Sequence, residues 1–146
     1  MSIPHSVMNE KEIEDFLGAP RFGVLGTNRR NGPPQMTAVW YLYKHGKIYV
    51  SMFEASAKAR NLKRDPRATL CVSGDSADAR AVVLSGAVEL HQHGSEAWVN
   101  ETSWELTRRY YESDDEARKY LESESSGGSS VLAVLTPEKI IAQDYN

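Results

Sequence analysis

Apolar residues recur along this chain with two different spacings, and the switches between them mark out its elements. Near the start, Ile13, Phe16 and Leu17 fall three and four positions apart, the spacing that lines one face of a helix. Asn9 can cap the first free amides of that helix, Glu12 can reach back to Asn9, and Gly18 with Pro20 ends the run. From Arg21 the period drops to two. Residues 22–27 read as a strand entering the turn Asn28-Arg29-Arg30-Asn31-Gly32. Residues 35–43 read as one long β-rich run, and residues 48–53 as a third strand after the turn Lys44-His45-Gly46-Lys47. These three strands are expected to pair in order as a meander.

Ser56 can cap a short helix through Arg64, which Asp65-Pro66 stops. The β pattern resumes over 67–73, turns at Gly74-Asp75-Ser76 and continues over 80–90, where Gly86 suggests a bulge. Residues 95–122 form the one substantial helical region, broken near Ser113-Asp114, and its acids make a solvated face. A flexible loop is expected over 123–129, then two last strands, 131–135 and 139–143, around Pro137. Links this short cannot make parallel crossovers. The expected fold class is therefore mainly β, an antiparallel six- to seven-stranded barrel with peripheral helices.

Composition narrows the picture. The chain has 146 residues, 40% apolar and 25% charged, which suits one soluble domain spanning 1–146. No apolar run approaches the roughly 20 residues that cross a bilayer, and the N-terminus lacks the basic and apolar regions of a secretory signal. A cytoplasmic location, with no membrane contact, is the expectation. The single cysteine, Cys71, excludes an intramolecular disulfide and is expected to be a small buried core residue. A net charge of −3 gives no global attraction for nucleic acid or an anionic membrane, so any anion site must be local.

One stretch, Ser51 to Arg67, combines clustered cations, a helix start and a neighbouring β-rich wall. Free amides and the dipole at a helix N-terminus favour a phosphate. Ser56 adds a hydroxyl there and Lys58 a mobile charge. Asn61, three positions on, shares the Lys58 face, whereas Arg60 lies about 200° around the helix from Lys58. Pattern alone favours the plainer reading, in which these cations coat a solvated surface helix. Trp40 and Tyr41 must point to opposite sides of their strand, and each is as well explained by packing as by ligand contact. His91 and His93 share a strand face without a further ligand at metal spacing, so no metal site is expected. No phosphate-binding loop, dinucleotide fingerprint or nucleophile elbow is present.

The run Ser56-Ala57-Lys58-Ala59-Arg60-Asn61-Leu62-Lys63-Arg64-Asp65-Pro66-Arg67, with Ser51 before it, resembles the pyridoxamine-5′-phosphate-oxidase-like split-barrel family. Gly32-Pro33-Pro34-Gln35-Met36-Thr37-Ala38-Val39-Trp40-Tyr41 upstream and Pro137-Glu138-Lys139-Ile140-Ile141 near the end carry the same resemblance. It is strongest to the branch of flavin- and deazaflavin-dependent oxidoreductases. The resemblance implies a homodimer with cofactor sites in the clefts between subunits. Ser56 and Lys58 would hold the cofactor phosphate, with Asn61 nearby. Thr37, Ala38, Val39, Trp40, Ser51 and Met52 would line the ring, and Trp40 and Tyr41 would stack on substrate. The implied activity is hydride transfer between the deazaflavin F420 and a small conjugated organic substrate. FMN is the alternative cofactor, and a non-catalytic cofactor- or haem-sequestering protein the alternative role. The resemblance names no catalytic side chain, leaving proton delivery to solvent or a nearby hydroxyl. Two departures stand out: the deazaflavin branch can carry arginine where this chain has Ser56, and the longer, more basic chain of true pyridoxamine-phosphate oxidases, with its C-terminal substrate segment, has no counterpart here.

Overall fold

A computed structural model describes residues 6–124 and 129–146. The expectations for residues 1–5, and for 125–128 within the loop read at 123–129, lie outside the described residues. In chain order the elements are β1 (Ser6–Val7), α1 (Glu10–Gly18), β2 (Gly23–Thr27), β3 (Gln35–Val39), β4 (Leu42–Lys44), β5 (Lys47–Phe53), α2 (Ala57–Arg64), β6 (Arg67–Ser73), β7 (Arg80–Gln92), α3 (Ala97–Arg108), α4 (Asp114–Glu124) and β8 (Ser130–Asp144). Both N-caps are built as their residue types allow. Asn9 Oδ1 accepts from the Glu12 amide while Glu12 accepts from the Asn9 amide, and Ser56 Oγ accepts from the Ala59 amide.

The strands form one antiparallel sheet in the order β3-β2-β6-β7-β8-β5-β4, with β1 beside β8. Its two ends are joined by only Trp40 and Tyr41. Seven strands laid flat would put β3 and β4 roughly 29 Å apart at the usual strand spacing, yet Val39 and Leu42 are three residues apart and can span at most about 11 Å. The sheet must roll up until its ends adjoin. The fold is therefore mainly β, an antiparallel split barrel with four helices around it. Inward positions such as Leu25, Val50, Leu70, Val82 and Leu84 fill the interior, and Phe16 and Leu17 of α1 join the same core.

Three expectations are corrected. The meander does not form: β2 and β3 pair as a hairpin, but β5 pairs with β4 and β8. Residues 35–43 are not one strand, because the backbone leaves the ladder at Trp40 and Tyr41. The Tyr41 amide donates to Tyr110 Oη at 3.1 Å, and its carbonyl accepts from Arg109, so these groups need no strand partner. The two last strands are one, β8, which bulges at Pro137 and Glu138 opposite Ser85 and Gly86 of β7. A proline cannot donate to a ladder, and a bulge is where its missing N–H is tolerated. Gly86 is required there: a Cβ on it would lie 2.0 Å from the Thr136 carbonyl oxygen.

Cys71 is also corrected. It is half-buried rather than part of the interior. The pairing register places it in an outward row with Ala38, Val24, Val83 and Ile141. Period-two alternation aims it outward, and a neighbouring apolar stripe, not the core, surrounds it. Phe22 and Met36, 65% and 60% exposed, flank that stripe.

Candidate functional site

Where β3 ends, β5 runs alongside β8, and α3 and α4 cross over them, a cavity of about 520 Å³ opens, within the usual range of roughly 300–1,000 Å³ for small-molecule sites. Each element supplies part of the wall. Phe22 precedes β2, Ala38, Val39 and Trp40 come from the end of β3, and Ser51, Met52 and Phe53 from β5. Lys58 comes from the first turn of α2, Leu106 and Thr107 from α3, Tyr120 and Leu121 from α4, and Ser129 and Ser130 from the entry to β8. His93, in the turn after β7, completes the lining.

Trp40 is fixed by its neighbours. Its indole stacks on Tyr110 with centroids 4.7 Å apart and planes within 6°, and it meets Tyr111 edge-on at 5.8 Å and Tyr120 at 5.3 Å. Such contacts are worth about 0.5–1.5 kcal/mol each beyond burial, so the ring is held in place before any ligand arrives. Tyr110 is itself anchored by its hydroxyl, 2.8 Å from the Arg21 carbonyl, and burial raises its pKa.

The cations of α2 differ in one respect. Lys63 pairs with Glu54 at 3.2 Å, Arg60 donates to the Ala55 carbonyl at 2.9 Å, and Arg64 donates to the Asn28 carbonyl. Lys58 has no ion-pair or hydrogen-bond partner among the described residues, and it lines the cavity. No carboxylate lines that cavity among the described residues. An ammonium on a half-enclosed wall without a counter-charge is a standing attraction for an anion. The amides of Ala57 and Lys58, at the start of α2, are likewise without a partner among the described residues.

The structure distributes the residues expected from sequence. Ala38, Val39, Trp40, Ser51, Met52 and Lys58 are brought together on the cavity wall. Thr37 lies opposite Leu25 in the β2–β3 hairpin and is not on that wall. Ser56 caps α2, and its hydroxyl donates to the Phe53 carbonyl at 2.7 Å, so to donate to a phosphate it must first release that bond. Asn61 is buried and faces the barrel: its Nδ2 donates to Thr27 Oγ1 and to Gln35 Oε1, both at 3.2 Å, tying α2 to β2 and β3. Tyr41 is fully buried, donates to the Leu17 carbonyl at 3.1 Å, and is not on the wall. Of the adjacent pair Trp40 and Tyr41, one therefore faces the cavity and the other the core.

Sequence reasoning did not place Phe22, Phe53, His93, Leu106, Thr107, Tyr120, Leu121 or Ser130 at the site. Those from α3 and α4 are 50 or more positions away from β5 and look like ordinary apolar helix positions. His93 does carry a signal, the His91-Gln92-His93 run, but that pattern by itself suggests at most a metal pair. The two imidazoles have different partners. His91 lies 3.2 Å from Glu89 and edge-on to Trp98, while His93 Nε2 lies 2.9 Å from Ser103 Oγ and 3.5 Å from Ser51 Oγ. Among the described residues, no three His, Cys, Asp or Glu side chains converge as a metal centre needs. No described helix is long and apolar enough to cross a membrane.

A smaller cavity of about 290 Å³ lies over β6 and β7. It has no aromatic wall, Glu138 lines it, and its Arg67 is held by Asp65 through two bonds of 2.8 and 3.0 Å. Those bonds, with one from Asn28, hold the Asp65 carboxyl down to about 2, so the pair stays charged. Lys139 on its wall has no partner among the described residues, but the Glu138 carboxylate shares that wall, and the cavity lacks the flat aromatic face of the larger one.

Residues 9–144 match the family described as pyridoxamine 5′-phosphate oxidase. The chain belongs to the pyridoxamine 5′-phosphate oxidase-like family. Solved structures agree on the architecture. The conserved hypothetical protein Rv2991 from Mycobacterium tuberculosis is 29% identical with a TM-score of 0.75, over 96% of this chain and 87% of that one. A protein named F420 reductase is 24% identical with a TM-score of 0.65, over 87% and 94%. HutZ, the haem storage protein from Vibrio cholerae, is 18% identical with a TM-score of 0.71, over 92% and 94%. At these last two identities the likeness is one of fold, and this family's fold evidently carries different tasks.

Proposed function

We propose that this member of the pyridoxamine 5′-phosphate oxidase-like family is a homodimeric oxidoreductase that binds the deazaflavin F420 in the larger cavity. On this reading it transfers a hydride between that cofactor and a small conjugated organic molecule. The observation that carries the reading is the Lys58 ammonium, unpartnered among the described residues, at the start of α2 on a cavity wall with no carboxylate. A phosphate fits that place: it would take a charge-assisted bond from Lys58 and the two free amides of the first turn. A flat ring fits the aromatic and apolar wall of Trp40, Phe53 and Tyr120 beside it. When bound, the cofactor supplies the hydride, and the protein supplies position and exclusion of water. Trp40, already locked by Tyr110, orients the substrate over the ring.

The subunit partner is proposed from the outer face. The row Ala38-Val24-Cys71-Val83-Ile141, with Phe22 and Met36 beside it, is a broad exposed apolar surface of the kind that marks an interface. Phe22 and Ala38 belong to both that surface and the cavity wall, so a second copy seated there would border the site. A dimer of twice 16.3 kDa is expected by light scattering, and Val24→Glu should shift it to monomer.

The deciding experiment titrates purified protein with F420 and with FMN, then supplies reduced cofactor and an activated double bond. Micromolar or tighter binding of F420 with turnover supports the reading. Tighter binding of FMN reassigns the cofactor within the same cavity. Binding without turnover of any acceptor replaces the enzyme with a carrier.

A further inference from the structure

His93 is the feature of the cavity that the proposed function leaves unused. Three groups that titrate line the wall among the described residues: Lys58, Tyr120 and His93. Of these side chains only an imidazole ordinarily changes charge between pH 5 and 8. Its surroundings also set which nitrogen does what. Ser103 Oγ is buried and lies 2.9 Å from Nε2, and it has no other hydrogen-bond partner among the described residues. In the imidazolium Nε2–H donates to Ser103 Oγ, which leaves the Nδ1–H as the proton free to be given away. Nδ1 has no partner among the described residues and is not sealed from solvent. Ser51, exposed on the cavity wall, lies 3.5 Å from Nε2.

We propose, resting on the reductase reading above, that His93 is the proton donor of this cavity, held in register by Ser103. Reduction of a carbon–carbon double bond conjugated to a carbonyl adds two electrons and two hydrogens. The hydride, from the reduced deazaflavin, forms a C–H bond at the far carbon. The π electrons move toward the carbonyl, and the carbon next to it takes a proton from the Nδ1–H of the imidazolium. The cofactor is left oxidised by two electrons, the imidazole is left neutral with its proton on Nε2 facing Ser103 Oγ, and water in the half-open cavity reloads Nδ1.

The groups around the ring let it give up its proton easily. Lys58 of α2 and Tyr120 of α4 share the wall. Glu54, after β5, is tied to Lys63 and Gln92. On α3, Glu105 pairs with Lys44 and Glu101 lies within its influence. On β7 itself, Glu89 is taken by His91. No carboxylate on the wall holds the imidazolium in place, and burial pushes the His93 pKa down from its ordinary value. A proton placed there is readily given up.

The test uses the full chain with F420, in two arms. In the binding arm, His93→Gln should take up the cofactor with wild-type affinity. In the kinetic arm, wild-type kcat/KM should be flat at low pH and fall tenfold per pH unit above a value under 6.5. His93→Gln should lose on the order of 100-fold at the plateau and lose that pH limb. Histidine-labelled wild-type protein, followed by NMR, should show the His93 signal titrating at the same pH as the limb and moving when cofactor is added. A variant that keeps the limb and the rate overturns the proposal, as does a His93 signal that titrates elsewhere. A variant that binds cofactor tenfold more weakly overturns it too, because His93 is then a binding group. Wild-type protein that binds no F420 instead removes the reductase reading, and the proton role falls with it, an outcome recognised in the binding arm alone.

Discussion

Replacing Lys58 with alanine gives the sharpest test of the cavity. The side chain makes no hydrogen bond or ion pair among the described residues, and α2 is held by other side chains, Ala59, Asn61 and Leu62, which are buried. The variant should therefore fold as the wild type does. What it loses is a charge-assisted bond to phosphate, worth about 1.5–3 kcal/mol, and at about 1.4 kcal/mol per factor of ten this predicts a Kd weakened about tenfold to 150-fold. Lys63→Ala is the internal control. It removes the same charge one helical turn and a half away, where Glu54 already neutralises it, and should change affinity by less than about twofold. Fluorescence titration with F420 or FMN measures both variants. Raising ionic strength from about 0.01 to 0.15 M shortens the screening length from about 30 to 8 Å, and should narrow the gap between wild type and Lys58→Ala. Unchanged affinity in a folded Lys58→Ala protein, or an equal loss in Lys63→Ala, would refute the assignment of the anion to this wall.

Three further outcomes follow from the packing. Asn61→Ala strips the donor from buried Thr27 and from Gln35, and should cost about 1–3 kcal/mol, read as a lower urea midpoint at unchanged slope. Gly86→Ala drives a methyl into the Thr136 carbonyl, and should lower stability by at least about 1–3 kcal/mol; a thermal melt equal to wild type would mean the bulge is not as tight as described. Burial, then the neighbouring Tyr110, pushes the Tyr41 phenol up to about 12 from 10. The raised folded value favours the neutral form, so its contribution is complete below pH 10 and is lost as pH rises toward 12. Urea midpoints at pH 9, 10 and 11 should fall more steeply for wild type than for Tyr41→Phe, and parallel curves would contradict the burial argument.

Much of the architecture was written in local pattern. The capping box at Asn9 and Glu12, the Ser56 cap and the break between α3 and α4 at Ser113-Asp114 each depend on residues within a few positions of one another. Side-chain hydrogen bonding and backbone freedom act at that range, so sequence alone determined them. The position of Lys58 on α2 was legible for the same reason, since helical geometry separates it from Arg60 without reference to the rest of the chain.

Pairing partners and the contents of the cavity were decided only by the tertiary structure. The run 35–43 has uninterrupted β character, yet it divides because Arg109 and Tyr110, about 70 positions later, take the backbone groups of Tyr41. Ser51, His93 and Ser103 meet across 52 positions only because β5, the turn after β7 and α3 converge when the sheet closes. Asn61 points at Thr27 and Gln35 rather than at the cavity for a similar reason: a buried amide must satisfy both of its N–H groups, and the barrel wall supplies the acceptors. Local propensity chooses what each segment becomes, while long-range burial and hydrogen-bond satisfaction choose what it meets.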